Sequence, residues 1–529
     1  MNENVKNTNL LPNSEKDTCD NSKNVKSYSI PDVVFAWLSY FFCYLFCRVF
    51  PVFENTLGGF SFVLLILIAT FTILKIKKIK IPSMALAVAV SALAVSPAII
   101  ITNSSFLIFL VFTYIITSYC YFIYAAFNNT LESGISDFIF IDYVKAIFVM
   151  PFYSLTKIFR ALAYGKAKSS MKIILKALVG LAIAAIPTIV IFLLLSYDDS
   201  FISIFEKIFD FNVETLFSHI GSLILALPLS MYVFGLFESS SEKLLKKTIT
   251  AEDCNNGFSI VRIMPQLTAL TAALPILFVY IIYFISQWKY YVSGFTGVLP
   301  DDFSYAVYAR EGFFQLCAVS FINLVIIMAI VLFTKRKDEK TSTLLKILST
   351  VFCAFTLVLI STAVAKLVMY IDSYGLTQKR VYAMWFMALI AVVFIIIAIG
   401  RFATKIKTVW TSFFVCVIFF AVLSLSNVNG IIAEYNVDRY LEGTLDMVDI
   451  EAMHRLDDAS IPALVHLAEE LDKRKENGKP IPEEMYLELK DNLKNRASYI
   501  EDFENDFFGF DIPTYRAKKA LTKYGLIKE

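Results

Sequence analysis

Ten residues in three separated stretches carry the side chains best suited to chemistry. Tyr305, Tyr308 and Arg310 lie in Asp301–Phe314, and Asp372, Tyr374 and Arg380 lie in Tyr370–Arg380. Asn427, Tyr435, Asn436 and Arg439 lie in Asn427–Tyr440. Tyrosine offers an apolar face with a hydroxyl, arginine a planar fork of donors, and Asp and Asn add acceptors. That mixture suits a polar or carbohydrate-like ligand, or a protein partner. The same residues also fit a plainer role as ties between helix ends, with Arg310, Arg380 and Arg439 paired to Asp302, Asp372 and Asp438. A third use would turn Asp301, Asp302 or Asp372 to acid–base work on lipid-linked or cell-wall substrates, although no pair has a recognisable catalytic spacing.

Other chemistries lack their residues. The three histidines, His219, His454 and His466, form no H-E-x-x-H pair, and no C-x-x-C occurs, so neither a metal site nor any other cofactor is expected. No G-x-x-x-x-G-K-[ST] and no G-x-S-x-G is present, which argues against a P-loop ATPase and a hydrolase elbow. For transport, the informative residues are polar groups and prolines at mid-membrane. Asn323 is the clearest such side chain, and Pro187, Pro228 and Pro275 fall near the middle of three consecutive apolar blocks. Lys366 lies close enough to a block end to reach the interface.

The elements that must position these residues are apolar blocks about twenty residues long. The chain has 529 residues, 57% of them hydrophobic, a mean hydropathy of +0.64 and only 18% charged residues. Candidate spans are 33–50, 57–74, 83–101, 104–127, 173–196, 217–237, 264–286, 312–333, 345–369, 381–399 and 408–427, about eleven in all. Continuous blocks of this length are helices, not the short alternating strands of a barrel. The expected fold is an all-α membrane bundle.

Every even-numbered span is followed by a basic loop. These loops carry Lys75, Lys77, Lys78 and Lys80; then Lys145 to Lys176; then Lys243, Lys246, Lys247 and Arg262; then Lys335 to Lys340; then Arg401, Lys405 and Lys407. Basic loops stay on the cytoplasmic side. The N-terminus is therefore expected inside and the C-terminus outside, with Pro51–Thr56, Tyr197–Thr215, Gln287–Glu311 and Asp372–Arg380 as outer loops. This topology explains the basic residues and leaves nucleic-acid binding without support. Six of the eight cysteines lie in spans and none in an outer loop, so no disulfide framework is needed.

Several segments are not expected to span. Residues 1–30 read as a polar, disordered tail. Segment 135–168 is basic and aromatic, with Phe138, Ile141, Val144, Ile147 and Phe148 expected on one face of an interfacial helix. Segment 198–212 repeats the pattern with Phe201, Ile204, Phe205, Ile208 and Phe209. After the membrane region 31–427, residues 428–529 hold 22 acids against 14 bases and no span. They read as a small, mostly helical outer domain, with one helix capped by Ser460 ahead of Pro462 and another over Pro482–Ile500.

The three polar stretches also carry a resemblance. Tyr305–Phe314 (Y-A-x-Y-A-R-x-G-F-F), Tyr370–Arg380 followed by Trp385, Phe386 and Met387, and Asn427–Asn436 (N-x-x-x-x-I-A-x-Y-N) resemble a bacterial multi-pass family, domain of unknown function 4173, a relative of family 4153. Leu193–Asp198 resembles its earlier Ser-x-Asp turn, with Tyr197 in place of a small residue. The resemblance spans roughly residues 180–470 and implies a bacterial cell membrane without bringing an activity, cofactor or catalytic residue. The leading functional expectation is non-enzymatic: an envelope sensor or scaffold whose outer motif cluster binds a protein partner or small polar ligand. The alternatives are a transporter working near Asn323 and the prolines, or the membrane enzyme on lipid-linked substrates.

Overall fold

The computed structural model describes residues 28–53, 56–162, 213–243, 250–286, 305–335, 343–403, 405–501 and 509–528, with isolated positions between them. At 49–53, 213–217, 305–314 and 317 only the helix path is described. The expected span 173–196, the segment 198–212, most of the N-terminal tail, and Asp301 and Asp302 lie outside the described residues, apart from isolated helical positions such as Pro187.

The described chain is helical. In order, α1 is Ile30–Phe53, α2 Leu57–Ile76, α3 Ser83–Val95, α4 Ala98–Ile101 and α5 Ser105–Ala126. Then come α6 Ile139–Val144, α7 Lys157–Leu162, α8 Val213–Glu242, α9 Ala251–Val261, α10 Gln266–Ser286 and α11 Tyr305–Phe333. Next are α12 Thr343–Tyr374, α13 Gln378–Phe402 and α14 Thr408–Leu425, followed by α15 Val428–Leu441, α16 Ile450–His454, α17 Ile461–Glu476, α18 Glu483–Glu501 and α19 Ile512–Tyr524. Among the described residues nine helices are long and apolar enough to cross a membrane: those of α1, α2, α3 with α4, α5, α8, α10, α12, α13 and α14. In α11 a shorter apolar stretch, Ala318–Phe333, falls where the eighth span was expected. The third span is interrupted: α3 stops at Val95 and α4 resumes at Ala98, because Pro97 brings a ring and no N–H into the turn.

The loops sort to two ends of the bundle. At one end Lys77 pairs with Asp32, Lys157 with Glu242 at 2.5 Å and Lys407 with Glu132 at 3.7 Å. At the same end Asp137 accepts the Val409 N–H at 3.1 Å, and Phe138 stacks on Phe258. These contacts join loops that the charge pattern assigns to one side. At the opposite end the Leu57 N–H donates to the Phe510 carbonyl at 2.8 Å, and Ser104 meets Tyr382 at 2.8 Å. The C-terminal helices gather there, and their core of Ile432, Leu464, Leu467, Leu489 and Leu521 continues into Leu107 of α5 and Leu423 of α14.

The described residues of segment 135–168, up to Leu162, depart from a single interfacial helix. After α6, residues Lys145–Val149 form a π turn and Met150–Tyr153 a 3₁₀ turn. The i→i+5 bond from Met150 to Lys145 widens the turn, and the exposed apolar stripe is Phe140, Val144, Phe148 and Phe152. The opposite face, with Ile139, Ala146, Met150 and Ile158, is buried in the core shared with α1, α5 and α8. Gly235 of α8 permits this docking, since a Cβ there would collide with the Pro151 carbonyl. Asp142 is also buried, 1% exposed, and accepts from the Leu131 N–H at 3.2 Å and the Tyr124 hydroxyl at 3.3 Å. Burial pushes its carboxyl up to about 6, against the pull of those donors and of Lys145.

Between α1, α2, α5 and α8 the packing leaves a chamber of about 320 Å³ with a wholly apolar exposed wall.

Candidate functional site

The second and third polar stretches meet at the end of the bundle where the C-terminal helices gather. Helix α12 ends at Tyr374, and Gly375 turns the chain with φ +72°. Only glycine takes this conformation without strain, and a Cβ here would also lie 2.5 Å from Asn436 Oδ1. That close approach serves a clamp. Asn436 Oδ1 accepts the Leu376 N–H at 2.6 Å, and its Nδ2 donates to the Leu376 carbonyl at 2.9 Å. The linker between α12 and α13 is thereby fixed to α15.

The arginines bind differently from the pairing read in the sequence. Arg380 donates through Nη1 to the Tyr374 carbonyl at 2.9 Å and to the Gly375 carbonyl, and its guanidinium lies 4.0 Å from the Tyr370 ring centroid. It satisfies the orphan carbonyls that end α12, not Asp372. Asp372 instead lies 3.6 Å from Arg439, across the gap between the second and third stretches. Arg439 also donates to the Thr444 carbonyl at 2.9 Å and the Tyr435 hydroxyl at 3.3 Å. Arg380 and Arg439 therefore act as ties. Tyr374 is half exposed beside them. Tyr305, Tyr308 and Arg310 sit on the first turns of α11, and their side chains lie outside the described residues.

Sequence reasoning passed over Asn429 and Gln378. Asn429 is 2% exposed, accepts from Gln378 Nε2 at 2.7 Å and donates to the Leu456 carbonyl at 3.3 Å. It links α13, α15 and the C-terminal helices. The available signal was a second Asn two positions after Asn427, at a place where the chain leaves the apolar blocks.

Helix α15 separates its two faces by spacing. Val428, Ile432, Ala433, Asn436 and Val437 are buried, while Ile431, Glu434 and Asp438 point away from that core. Asn427, at φ +44°, turns the chain from α14 into α15. The outward face borders a cleft of about 450 Å³ that also takes Pro462 and His466 from α17 and Pro513 and Arg516 from α19. Helix α19 is held in place by Asp511, whose side chain caps the Thr514 N–H at 2.8 Å. Ser460, expected to cap α17, sits at the N-cap position but turns its hydroxyl back to the Asp457 carbonyl at 2.8 Å, because a 3₁₀ turn precedes the helix. Among the described residues no hydrogen bond or ion pair engages the side chains of Glu434, Asp438, His466 or Arg516, although His466 stands near the Glu470 carboxylate, and Asn427 Oδ1 is buried without a partner. The cleft thus holds two carboxylates, a guanidinium and an imidazole open to a ligand.

The mid-membrane candidates are internal. Asn323 is fully buried, accepts the Tyr280 hydroxyl at 2.7 Å and donates to Thr356 Oγ1 at 2.8 Å. Its amide joins α10, α11 and α12. Pro228 and Pro275 sit inside α8 and α10, which continue through them. The Tyr40 hydroxyl donates to the Leu223 carbonyl at 3.3 Å, in the turn preceding Pro228.

The model of the family described as domain of unknown function 4153 matches residues 84–467, which takes in all three polar stretches and most of the apolar helices. Comparison with curated proteins and with solved structures returns no match. Of the two related families that the motifs resemble, it is the 4153 model that matches, and the chain belongs to that family of unknown function.

Proposed function

We propose that this protein is a non-enzymatic envelope sensor or scaffold of a bacterial cell membrane, and that it binds a saccharide-like polar ligand in the cleft between α15, α17 and α19. The N-terminus would lie in the cytoplasm and the C-terminal helices outside. The observation that carries the reading is the division of labour on α15. Asn436 and Arg439 hold the structure together, while Glu434 and Asp438 of the same helix are left open to a cleft of about 450 Å³. Open carboxylates accept from hydroxyl groups and Arg516 donates to ring or acidic oxygens, the complement of a polyhydroxylated ligand. A pocket of this size with a few convergent polar groups is a default ligand site.

The test is thermal stabilisation of the detergent-purified full chain by a panel of soluble envelope saccharides. At least one should raise the melting temperature, and Glu434→Gln with Asp438→Asn should abolish that rise without altering the unliganded melting temperature. A panel with no active member sinks the ligand reading. Reporter fusions at Lys80 and Glu470 test the sidedness, and a cytoplasmic signal at Glu470 would overturn it.

A further inference from the structure

The chamber between α1, α2, α5 and α8 is distinct from that cleft. Its wall residues fall at the middles of the candidate spans: Ser39 in Ile30–Arg48, Ile66 in Leu57–Ile76, Ile115 in Ser105–Ala126 and Leu229 in Ser218–Glu242. The chamber therefore lies at the depth of the bilayer midplane. None of its exposed wall is polar, so it offers water no partners. The hydroxyls around it are mostly engaged with one another or with backbone. Thr70 bonds Tyr119 and the Ile66 carbonyl at 2.8 Å each, and Tyr232 donates to the Ile147 carbonyl at 2.8 Å. One is not: Ser39, 4% exposed on the wall, has no hydrogen-bond partner for its Oγ.

At about 320 Å³ the chamber is at the low end of the roughly 300–1,000 Å³ of ligand pockets, which suits one chain and not a whole lipid. Ile116 and Leu229 extend from its wall to the exposed face of the bundle, 49% and 36% exposed, and offer a lateral way in from the hydrocarbon. Left unfilled, this half-open apolar pocket forfeits dispersion contacts along its lining. Hydrocarbon is the one abundant solvent at this depth that restores them.

We infer that this chamber is a binding site for a single extended hydrocarbon chain of a membrane lipid, seated at the midplane among α1, α2, α5 and α8. The chain is either the acyl chain of a phospholipid or the isoprenoid tail of a polyprenyl lipid.

The experiment is native mass spectrometry of the full chain, stripped of lipid in detergent and then offered phosphatidylglycerol or a polyprenyl phosphate in separate arms. The expected result is one lipid retained per protein in at least one arm, and the arm that retains it identifies the source. Cys43→Phe, whose ring fills the chamber, should lower retention at least tenfold, and Ser39→Ala should leave it unchanged or tighter. Retention by neither arm overturns the inference, as does equal retention in folded Cys43→Phe. A tenfold loss in Ser39→Ala would replace hydrocarbon with an oxygen-bearing ligand and overturn it too. If Cys43→Phe does not fold, Phe112→Trp decides. Phe112 lines the chamber and is 7% exposed, so bilayers of brominated-acyl phosphatidylcholine should quench the new indole only from inside. Quenching no greater than that of the four native tryptophans rejects the site.

Discussion

Asn436 holds both backbone groups of Leu376, accepting its N–H at 2.6 Å and donating to its carbonyl at 2.9 Å. The side-chain amide takes the place of a peptide group and closes a two-bond ring between α15 and the linker from α12 to α13. Asn436→Ala leaves both Leu376 groups unpaired at a site that is 5% exposed, at a cost of about 2 kcal/mol. Asn436→Asp keeps the acceptor and sets a second oxygen against the Leu376 carbonyl, so it should cost at least as much as alanine. The check is the melting temperature of both variants in detergent; an aspartate variant as stable as the parent would show that the Nδ2 donor to the Leu376 carbonyl does not hold the linker.

Gly375 is the other half of that clamp. Its φ of +72° is strained for any L-residue, and a Cβ would press on Asn436 Oδ1. Gly375→Ala should therefore destabilise by about 1–3 kcal/mol. In Asn436→Ala the obstructing oxygen is gone, so the same glycine change should cost less there. Additive losses in this double-mutant cycle would mean that the two residues are not coupled.

Most of the helix inventory was legible because an apolar block of about twenty residues has few alternatives. The nine described spans follow the apolar blocks, and the loop charges group the ends as Lys77–Asp32 and Lys407–Glu132 do. Three features were not legible. Arg380 and Asp372 are eight positions apart and look like a pair, but Arg380 caps the carbonyls that end α12 while Asp372 reaches Arg439 on α15. Partner choice of this kind is set by tertiary packing. The exposed stripe shares Val144 and Phe148 with the expected face of Phe138–Phe148 but takes Phe140 in place of Phe138 and Ile141, and the π turn at Lys145 that shifts the register after Val144 is invisible to periodicity. The cleft lies beside the expected cluster, not on it: Glu434 and Asp438 alternate with Asn436 and Arg439 along one helix, and only the docking of α17 and α19 decides which face stays open.

Asn323 offers a test of structure against transport. Its amide bridges Tyr280 and Thr356, and Thr356 also donates to the Phe352 carbonyl at 2.7 Å. Interhelical hydrogen bonds inside membranes are worth about 0.6 kcal/mol on average and seldom reach 2. Asn323→Leu should therefore lower the melting temperature by only a few degrees. Substrate flux in proteoliposomes that this change abolishes would revive the transport reading; a small stability loss alone identifies the residue as a joint between α10, α11 and α12.

The remaining prediction concerns pH. Asp142 has its carboxyl raised by burial from 3.8 to about 6. Between those values the folded protein keeps a proton that the unfolded chain has released. The stabilisation from this group is thus complete below 3.8 and is lost as pH rises through about 6, leaving the ionised form to be buried at neutral pH. Two units correspond to about 3 kcal/mol, an upper figure since Lys145 moves with it. Asp142→Asn keeps an oxygen for the Leu131 N–H and cannot titrate. Its melting temperature should be nearly flat between about pH 4 and pH 6.5, where the parent loses stability. Parallel slopes for the two proteins would assign the pH dependence to another group and leave Asp142 a simple acceptor for the turn after α5.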